Sequence, residues 1–420
     1  MVLTPKGYKE RILDRTIQKK LLSFGAISIE GPKWCGKTWT VLNNANSIVY
    51  MMKKEIRLKA ELDISTALVG EYPHGIDEWQ EVPEIWDEVR FTVDHNTLKG
   101  QFLLTGSVSP PKDKIRHSGV GRFVRVKMRP MSLFESGDST GRISLSDLFD
   151  GEKVALEESK TSVDELIDIT CRGGWPASVN SRLTNPGELS AEYIEGIISG
   201  DIIQDSTGFR DTEKFKFFLS SLARNNATIV KNTTIHNDVQ KAAGEFSSKT
   251  LAKYLQILRD IYLLEEIPGW HPQIRLKTRI LSTPKRMLVD PSLAIASLGA
   301  TSDSLKKDLV TYGGLFEGLC LRDLLIYAES IDAKVFHYRD DSLLEVDAII
   351  EKPGGDWGAI EIKLGGSGID KGAKSLLALR KKMMKAGINE PAYLVVLTAN
   401  GLAMTRDDGV QVIPITILKD

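Results

Sequence analysis

The 420-residue sequence predicts a multi-domain α/β protein, and three observations carry that prediction. A strand-like run, Ala26-Ile27-Ser28-Ile29-Glu30, leads into Gly31-Pro32-Lys33-Trp34-Cys35-Gly36-Lys37-Thr38, and Thr38-Trp39-Thr40-Val41-Leu42 can then open a helix. Short apolar runs and helical stretches succeed one another after it, as in an open sheet with helical crossovers. Near the other end, two strand-like runs around Asp347 and Glu361 flank a Pro-Gly-Gly turn.

Composition is that of a globular chain, with 42% hydrophobic and 26% charged residues, so a sizeable core is expected. The length suits two to four domains at about 100 to 200 residues each. Formal net charge is −1, so contact with nucleic acid would have to come from a local basic patch. Cys35, Cys171 and Cys320 are far apart and match no metal-ligand spacing, which predicts a reducing, cytoplasmic setting. The amino-terminal residues lack the basic-then-apolar pattern of a signal peptide, and no apolar run approaches the ~20 residues of a membrane span. No membrane partner is expected.

The stretch from Gly31 to Thr38 fits the pattern G-x-x-x-x-G-K-[ST] without a gap. Its two outer glycines let successive backbone N–H groups turn inward toward phosphates, and Lys37 adds a point charge for the terminal phosphates. Thr38 offers a hydroxyl to the accompanying Mg²⁺. A helix N-terminus here adds about half a positive charge. Gly31, Pro32, Lys33, Trp34, Cys35, Gly36, Lys37, Thr38 and Trp39 are therefore the expected nucleotide-binding residues.

In chain order, residues 8–24 read as an amphipathic helix that packs on the core and does nothing more. Ser47-Ile48-Val49-Tyr50 is a candidate strand, and residues 56–68 read as helical. Gly75-Ile76-Asp77-Glu78-Trp79-Gln80 places an acidic pair at the end of a weakly apolar strand. Asp77 is the candidate for holding the Mg²⁺ shell and Glu78 for polarising the attacking water. The run Gln101-Phe102-Leu103-Leu104-Thr105-Gly106-Ser107 ends in small polar residues where ligands bind in open α/β sheets. Thr105 or Ser107 is expected to contact the terminal phosphate or the water.

Taken together, Gly31 to Thr38, Ile76-Asp77-Glu78-Trp79-Gln80, Val82-Pro83-Glu84-Ile85-Trp86, Leu104-Thr105-Gly106-Ser107, Gly121-Arg122 and Arg129-Pro130-Met131-Ser132 resemble the AAA-type P-loop NTPase core of a large group of bacterial and archaeal proteins whose C-terminal domain is of unknown function. The resemblance implies ATP as the nucleotide, a catalytic sensor role for Ser107 beside Lys37 and Glu78, and a trans-acting role for Arg122 that would require a homo-oligomer. Trp34 departs from the family's smaller or polar residues at that place.

Residues 138–160 turn polar and acidic and read as an excursion or hinge. Cys171-Arg172-Gly173-Gly174-Trp175-Pro176 matches a Gly-Gly-aromatic-Pro run of the same group and is assigned no chemistry. Short helices follow over 215–224, 235–243 and 247–264, then a strand-like 263–267, an order that resembles a winged helix-turn-helix. Lys241, Lys249 and Lys253 are the basic residues it offers, so either DNA or protein is a candidate partner.

From Gly313-Gly314-Leu315-Phe316-Glu317 an apolar helix runs to Tyr327, and a hairpin of 345–351 and 357–363 follows. A hairpin symmetric about Gly354 sets Asp347 opposite Glu361, with Cβ atoms about 5 Å apart, close enough for both to bind one divalent metal. Glu317 is a third candidate ligand. Lys363, one pleat from Glu361, is the candidate catalytic cation. Asp347 with Glu361-Ile362-Lys363 resembles the PD-(D/E)xK nuclease motif, and Glu317 stands where that group has a helical Glu. Val346 replaces the motif's proline. The expected organisation is an AAA-type domain over 1–140, a helical connector over 141–212, a winged-helix region over 213–300 and a C-terminal α/β restriction-endonuclease-like domain over 301–420. Two functions follow: an ATPase whose nucleotide state controls a nuclease-like domain acting on DNA, or a nucleotide-dependent switch whose nuclease-like domain is inactive and binds protein.

Overall fold

A computed structural model of the chain describes residues 3–96, 98–108, 121–152, 154, 156–181, 185–199, 211–272 and 282–420. They form two compact units, Met1–Pro130 with Leu258–Leu263, and Met131–Ile257 with Leu264–Asp420.

The first unit is built on five strands, β1 (Ala26–Glu30), β2 (Ser47–Tyr50), β3 (His74–Asp77), β4 (Phe102–Gly106) and β5 (Phe123–Lys127), in the order β2-β3-β4-β1-β5. All neighbouring pairs are parallel. The central strands are buried on both faces, and Ile27, Ile29, Leu103 and Leu104 all lie in the core. Helices α1 (Ile12–Leu21), α2 (Lys37–Asn44), α3 (Lys54–Leu62) and α4 (Ile85–His95) lie between or before the strands. Trp86 of α4 stacks on Phe123 of β5 with ring centroids 4.0 Å apart, and Trp79, Ile85 and Val89 fill the same core. Parallel pairing brings the carboxyl ends of β1, β3 and β4 to one edge, so the residues after Glu30, Asp77 and Gly106 converge there. The helix expected over 56–68 is split: Asp63 adopts extended backbone, accepts the Ser65 N–H and starts a separate 3₁₀ turn, Ile64–Leu68.

After β6 (Ile143–Ser144) and β7 (Glu157–Glu158), three helices, Thr212–Arg224, Asn232–Ala243 and Ser248–Asp260, precede the antiparallel pair β8 (Leu264–Ile267) and β9 (Lys285–Leu288); all belong to the second unit except the end of the third helix, from Leu258 on. Thr228 bridges antiparallel to Arg286. The last of these helices stops short of the expected 264 because Tyr262 turns left-handed, and the Leu263 N–H closes back on the Leu258 carbonyl at 2.8 Å. The expected wing region includes residues 273–281, which lie outside the described residues, as do 182–184 and 200–210 of the expected connector.

A seven-stranded sheet completes this unit, in the order β10-β11-β12-β13-β15-β14-β7, with β10 (Lys334–Arg339), β11 (Glu345–Glu351), β12 (Trp357–Lys363), β13 (Leu394–Thr398), β14 (Leu402–Thr405) and β15 (Gln411–Pro414). The hairpin β11–β12 falls where the sequence predicts it. The segment expected as an excursion instead supplies structure. Its β7 pairs with β14, and its β6 runs parallel to β16 (Leu418–Lys419), with Ser144 Oγ donating to the Asp420 carbonyl at 2.7 Å. Polar composition misled because both strands are two-residue edge pieces, too short to show periodicity.

Arg322, fully buried on the long helix Leu309–Ser330, joins Asp290 at 2.8 Å and Asp323 at 2.7 Å. Asp323 also accepts the Leu133 N–H at 2.9 Å, and Asp290 accepts those of Gly174 (3.0 Å) and Ser292 (2.9 Å). Burial pushes the Asp323 carboxyl up to about 6 against the pull of Arg322. This cluster binds segments that the sequence divides among four domains into one unit, and it gives the Gly173-Gly174 turn its purpose: a Cβ on Gly174 would stand 2.1 Å from the Met131 carbonyl. The three cysteines are buried and free. Among the described residues, no helix is long and apolar enough to cross a membrane.

Candidate functional site

At the carboxyl edge of β1 the chain turns through Gly31 to Gly36 and enters α2. Gly31 can have no side chain, because a Cβ would lie 2.2 Å from the Met128 carbonyl oxygen. Gly36 caps α2 at φ 105°, a left-handed conformation that favours glycine. Lys37 is 5% exposed, and its Nζ donates to the carbonyls of Gly31 (3.0 Å) and Pro32 (2.9 Å). Its ammonium is thus folded onto neutral oxygens of its own loop, a weaker tie than a carboxylate and one that a triphosphate can displace. Trp34, also left-handed, and Trp39 are 58% and 43% exposed.

Thr38 Oγ1 donates to Asp77 Oδ1 at 2.8 Å, and Thr105 Oγ1 donates to the same oxygen at 2.7 Å. Thr105 also accepts the Glu78 N–H at 2.9 Å. Glu78 sits at φ 54°, an unfavourable conformation for a residue with a side chain, and this hydrogen bond holds it there. Its Oε2 accepts from Ser107 Oγ at 2.8 Å and from Gln80 Nε2. Burial is the main reason that the Asp77 carboxyl is raised, with the two threonine hydroxyls opposing it. A buried carboxylate beside a hydroxyl at the mouth of a phosphate loop fits Mg²⁺, which takes one or two protein oxygens and the phosphates. Thr38 and Asp77 would hold it.

The structure therefore brings together Gly31, Lys37, Thr38, Asp77, Glu78 and Ser107. Of Thr105 and Ser107, the two candidates for contacting the phosphate or the water, Thr105 shares its hydroxyl between Asp77 and Glu78, and Ser107 donates to Glu78. Arg122 does not join them. Ala26 pairs with Phe123 and Glu30 with Lys127, so Arg122 lies at the opposite edge of the sheet, roughly 15 Å of strand away, and is ion-paired with Asp94. Sequence reasoning missed Arg11. Its guanidinium donates to the Cys35 carbonyl (2.9 Å) and to the Arg129 carbonyl (2.8 Å), bracing the phosphate loop from the start of α1. Tyr8 and Asn44 both donate to Asp14 of the same helix. Nothing local marks Arg11; its partners are far away in sequence.

The second constellation lies wholly in the second unit. The ladder of β11 and β12 ends at Ala348↔Ile360, in the register of a hairpin symmetric about Gly354, and Asp347 and Glu361 are the next residues beyond it. Asp347 Oδ2 accepts from the Ile362 N–H (2.8 Å) and from Lys363 Nζ (3.1 Å), and Lys363 also pairs with Glu361. Lys285 of β9, unforeseen, pairs with Glu317 and lies 3.5 Å from Asp347 Oδ1. Burial, then the charge of Asp347, raises Glu317 to about 7 and Glu361 to about 8. Asp347 is held low because the two ammonium groups and the Ile362 N–H outweigh its burial. Glu361 is only 4% exposed, and Gly372 of the helix Gly368–Lys385 lies so close that a Cβ there would stand 3.2 Å from the Glu361 Cβ. Glu317, Asp347 and Glu361, the three expected metal ligands, are gathered around these two ammonium groups. Among the described residues no group of three or more His, Cys, Asp or Glu is placed to hold a metal ion.

Residues 23–136 match the family model of an AAA domain, residues 163–304 a domain of unknown function (DUF8612), and residues 312–418 a second domain of unknown function (DUF4143). An uncharacterized protein of Haemophilus influenzae is 25% identical over 239 residues, 56% of this chain and 54% of that protein. An uncharacterized protein of Mycobacterium tuberculosis is 23% identical over 292 residues, 69% of this chain and 58% of that protein. The chain thus spans little more than half the length of these curated relatives. Among solved structures, a Walker-type ATPase of Pyrococcus abyssi is similar at 12% identity and a TM-score of 0.43, covering 71% of this chain and 99% of that one. A RuvB mutant of Thermotoga maritima is similar at 14% identity and a TM-score of 0.27, covering 66% and 90%. At such scores the two structures carry no weight for geometry. The AAA-domain match over 23–136, with the phosphate loop and acidic pair inside it, supports an AAA-type P-loop ATPase domain in the first unit.

Proposed function

We propose that the chain binds ATP with Mg²⁺ and hydrolyses it at the carboxyl edge of the first unit's sheet. The observation that carries this reading is the single hydrogen-bonded chain Thr38–Asp77–Thr105–Glu78–Ser107. It links the end of the phosphate loop to an acidic side chain. Bound Mg²⁺ would neutralise charge on the phosphates. The loop N–H groups and Lys37 bind and orient the triphosphate. Both side-chain hydrogen bonds of Glu78 fall on Oε2, which leaves Oε1 to orient a water and accept its proton. Ser107 fixes the rotamer of Glu78 and so reports whether the site is assembled. Arg122 would reach a nucleotide only on a neighbouring copy, so its proposed role requires a homo-oligomer.

In this reading, nucleotide state controls the second unit. Its hairpin is nuclease-like in placing Asp347, Glu361 and Lys363 together, and its three helices and β8–β9 pair have the order of a winged helix, so DNA is the partner to test. The alternative, a switch whose nuclease-like domain does not cleave, is favoured by the two lysines seated among the carboxylates. Turnover of ATP with Mg²⁺ is expected for wild type, with retained binding and lost turnover for Glu78→Gln; equal turnover in both removes the mechanism. Plasmid and branched DNA incubated with wild type and Asp347→Ala separates the two readings of the second unit, since cutting by wild type alone excludes the switch.

A further inference from the structure

We propose that Lys285 is a built-in cation that occupies the place of a divalent metal in the Glu317–Asp347–Glu361 cluster, so that the second unit keeps this cluster without binding a metal ion. The two lysines at the cluster differ in freedom. Lys363 is 25% exposed and can swing toward solvent, whereas the Lys285 side chain is 1% exposed. A buried ammonium is tolerated only with charged partners, and Lys285 has Glu317, Asp347 Oδ1 at 3.5 Å and the Asp347 carbonyl at 3.4 Å. Both oxygens of Asp347 are then committed, Oδ1 to Lys285 and Oδ2 to Lys363 and the Ile362 N–H. Mg²⁺ needs its oxygen ligands at about 2.0–2.1 Å. Lys363 can vacate its share, but Lys285 has no exposed position to move to while β9 stays in place.

Lys285 also reaches the cluster from a strand far upstream of the hairpin. A motif confined to Asp347 and Glu361-Ile362-Lys363 cannot contain it, and its presence changes what the motif can do.

The test is Mn²⁺ binding to the full chain without nucleotide, read by the electron paramagnetic resonance of free Mn²⁺, with thermal unfolding in parallel. Wild type and Asp347→Asn are expected to bind the same amount of Mn²⁺, and Mn²⁺ to leave the unfolding of both unchanged. Lys285→Met, close in shape and uncharged, is expected to gain a bound Mn²⁺ and to be stabilised by it, a gain absent from the Lys285→Met, Asp347→Asn double variant. A Mn²⁺ bound by wild type and lost in Asp347→Asn would overturn the proposal, as would a folded Lys285→Met that gains none. If Lys285→Met fails to fold, the comparison of wild type with Asp347→Asn still decides. Because no nucleotide is present, the result is independent of whether the first unit turns over ATP.

Discussion

Thr105→Val is the most informative perturbation of the first unit, because it keeps the side-chain shape and removes one hydroxyl. That hydroxyl donates to Asp77 Oδ1 at 2.7 Å and accepts the Glu78 N–H at 2.9 Å, and Thr105 is fully buried. Removing it strips a hydrogen bond from a buried carboxylate, about 1.5–3 kcal/mol, and leaves a backbone N–H unpaired, about 1–3 kcal/mol. With partial relaxation a loss of about 3 kcal/mol is expected, which lowers Tm by on the order of 10 °C for a unit of this size. Glu78 would also lose the bond that holds its left-handed backbone, so ATP turnover should fall by about 10²-fold or more with binding little changed. Thr105→Ser restores the hydroxyl and should recover most of both. Differential scanning calorimetry and a phosphate-release assay read the two effects. A Thr105→Val protein with wild-type Tm and turnover would refute the reasoning that this hydroxyl joins the two carboxylates.

Three other outcomes are expected. Gly31→Ala should abolish nucleotide binding in an equilibrium assay, because its Cβ would meet the Met128 carbonyl at 2.2 Å. Arg322→Met should cost about 3–5 kcal/mol by leaving Asp290 and Asp323 buried without their cation, measured by denaturant unfolding; a loss under about 1 kcal/mol would count against the cluster as the tie that unites the second unit. Burial, with a smaller contribution from Lys285, pulls His337 down to about 4. The unfolded chain therefore binds the extra proton between about pH 6.5 and 4, and stability present above that window is lost as pH falls through it, by about 2 kcal/mol between pH 7 and pH 5. His337→Gln should flatten this part of the pH profile, and an unchanged slope would contradict it.

Legibility followed the range of each signal. The phosphate loop, the strand before it and the acidic pair are each contiguous in sequence, and symmetry about the Gly354 turn gives the β11–β12 register because a hairpin is local. The long helix Gly368–Lys385 also carries a local signal, since Ala373, Leu376, Leu379 and Met383 recur at helical spacing. Arg11, Lys285 and the Asp290–Arg322–Asp323 cluster were not legible: apart from the adjacent Arg322 and Asp323, each acts on partners more than twenty residues away, and a lone charged residue gives no sign of burial before the fold is known. The same distance effect hid the packing of 138–160 against the carboxyl-terminal strands.

The central claim is that the loop from Gly31 to Thr38 holds a triphosphate with Lys37. Equilibrium binding of a fluorescent ATP analogue in the presence of Mg²⁺, compared between wild type and Lys37→Ala, tests it most directly. Saturable binding by wild type, weakened at least tenfold in Lys37→Ala and competed by unlabelled ATP, is the expected result. Equal affinities in the two proteins, or no saturable binding to wild type, would contradict it.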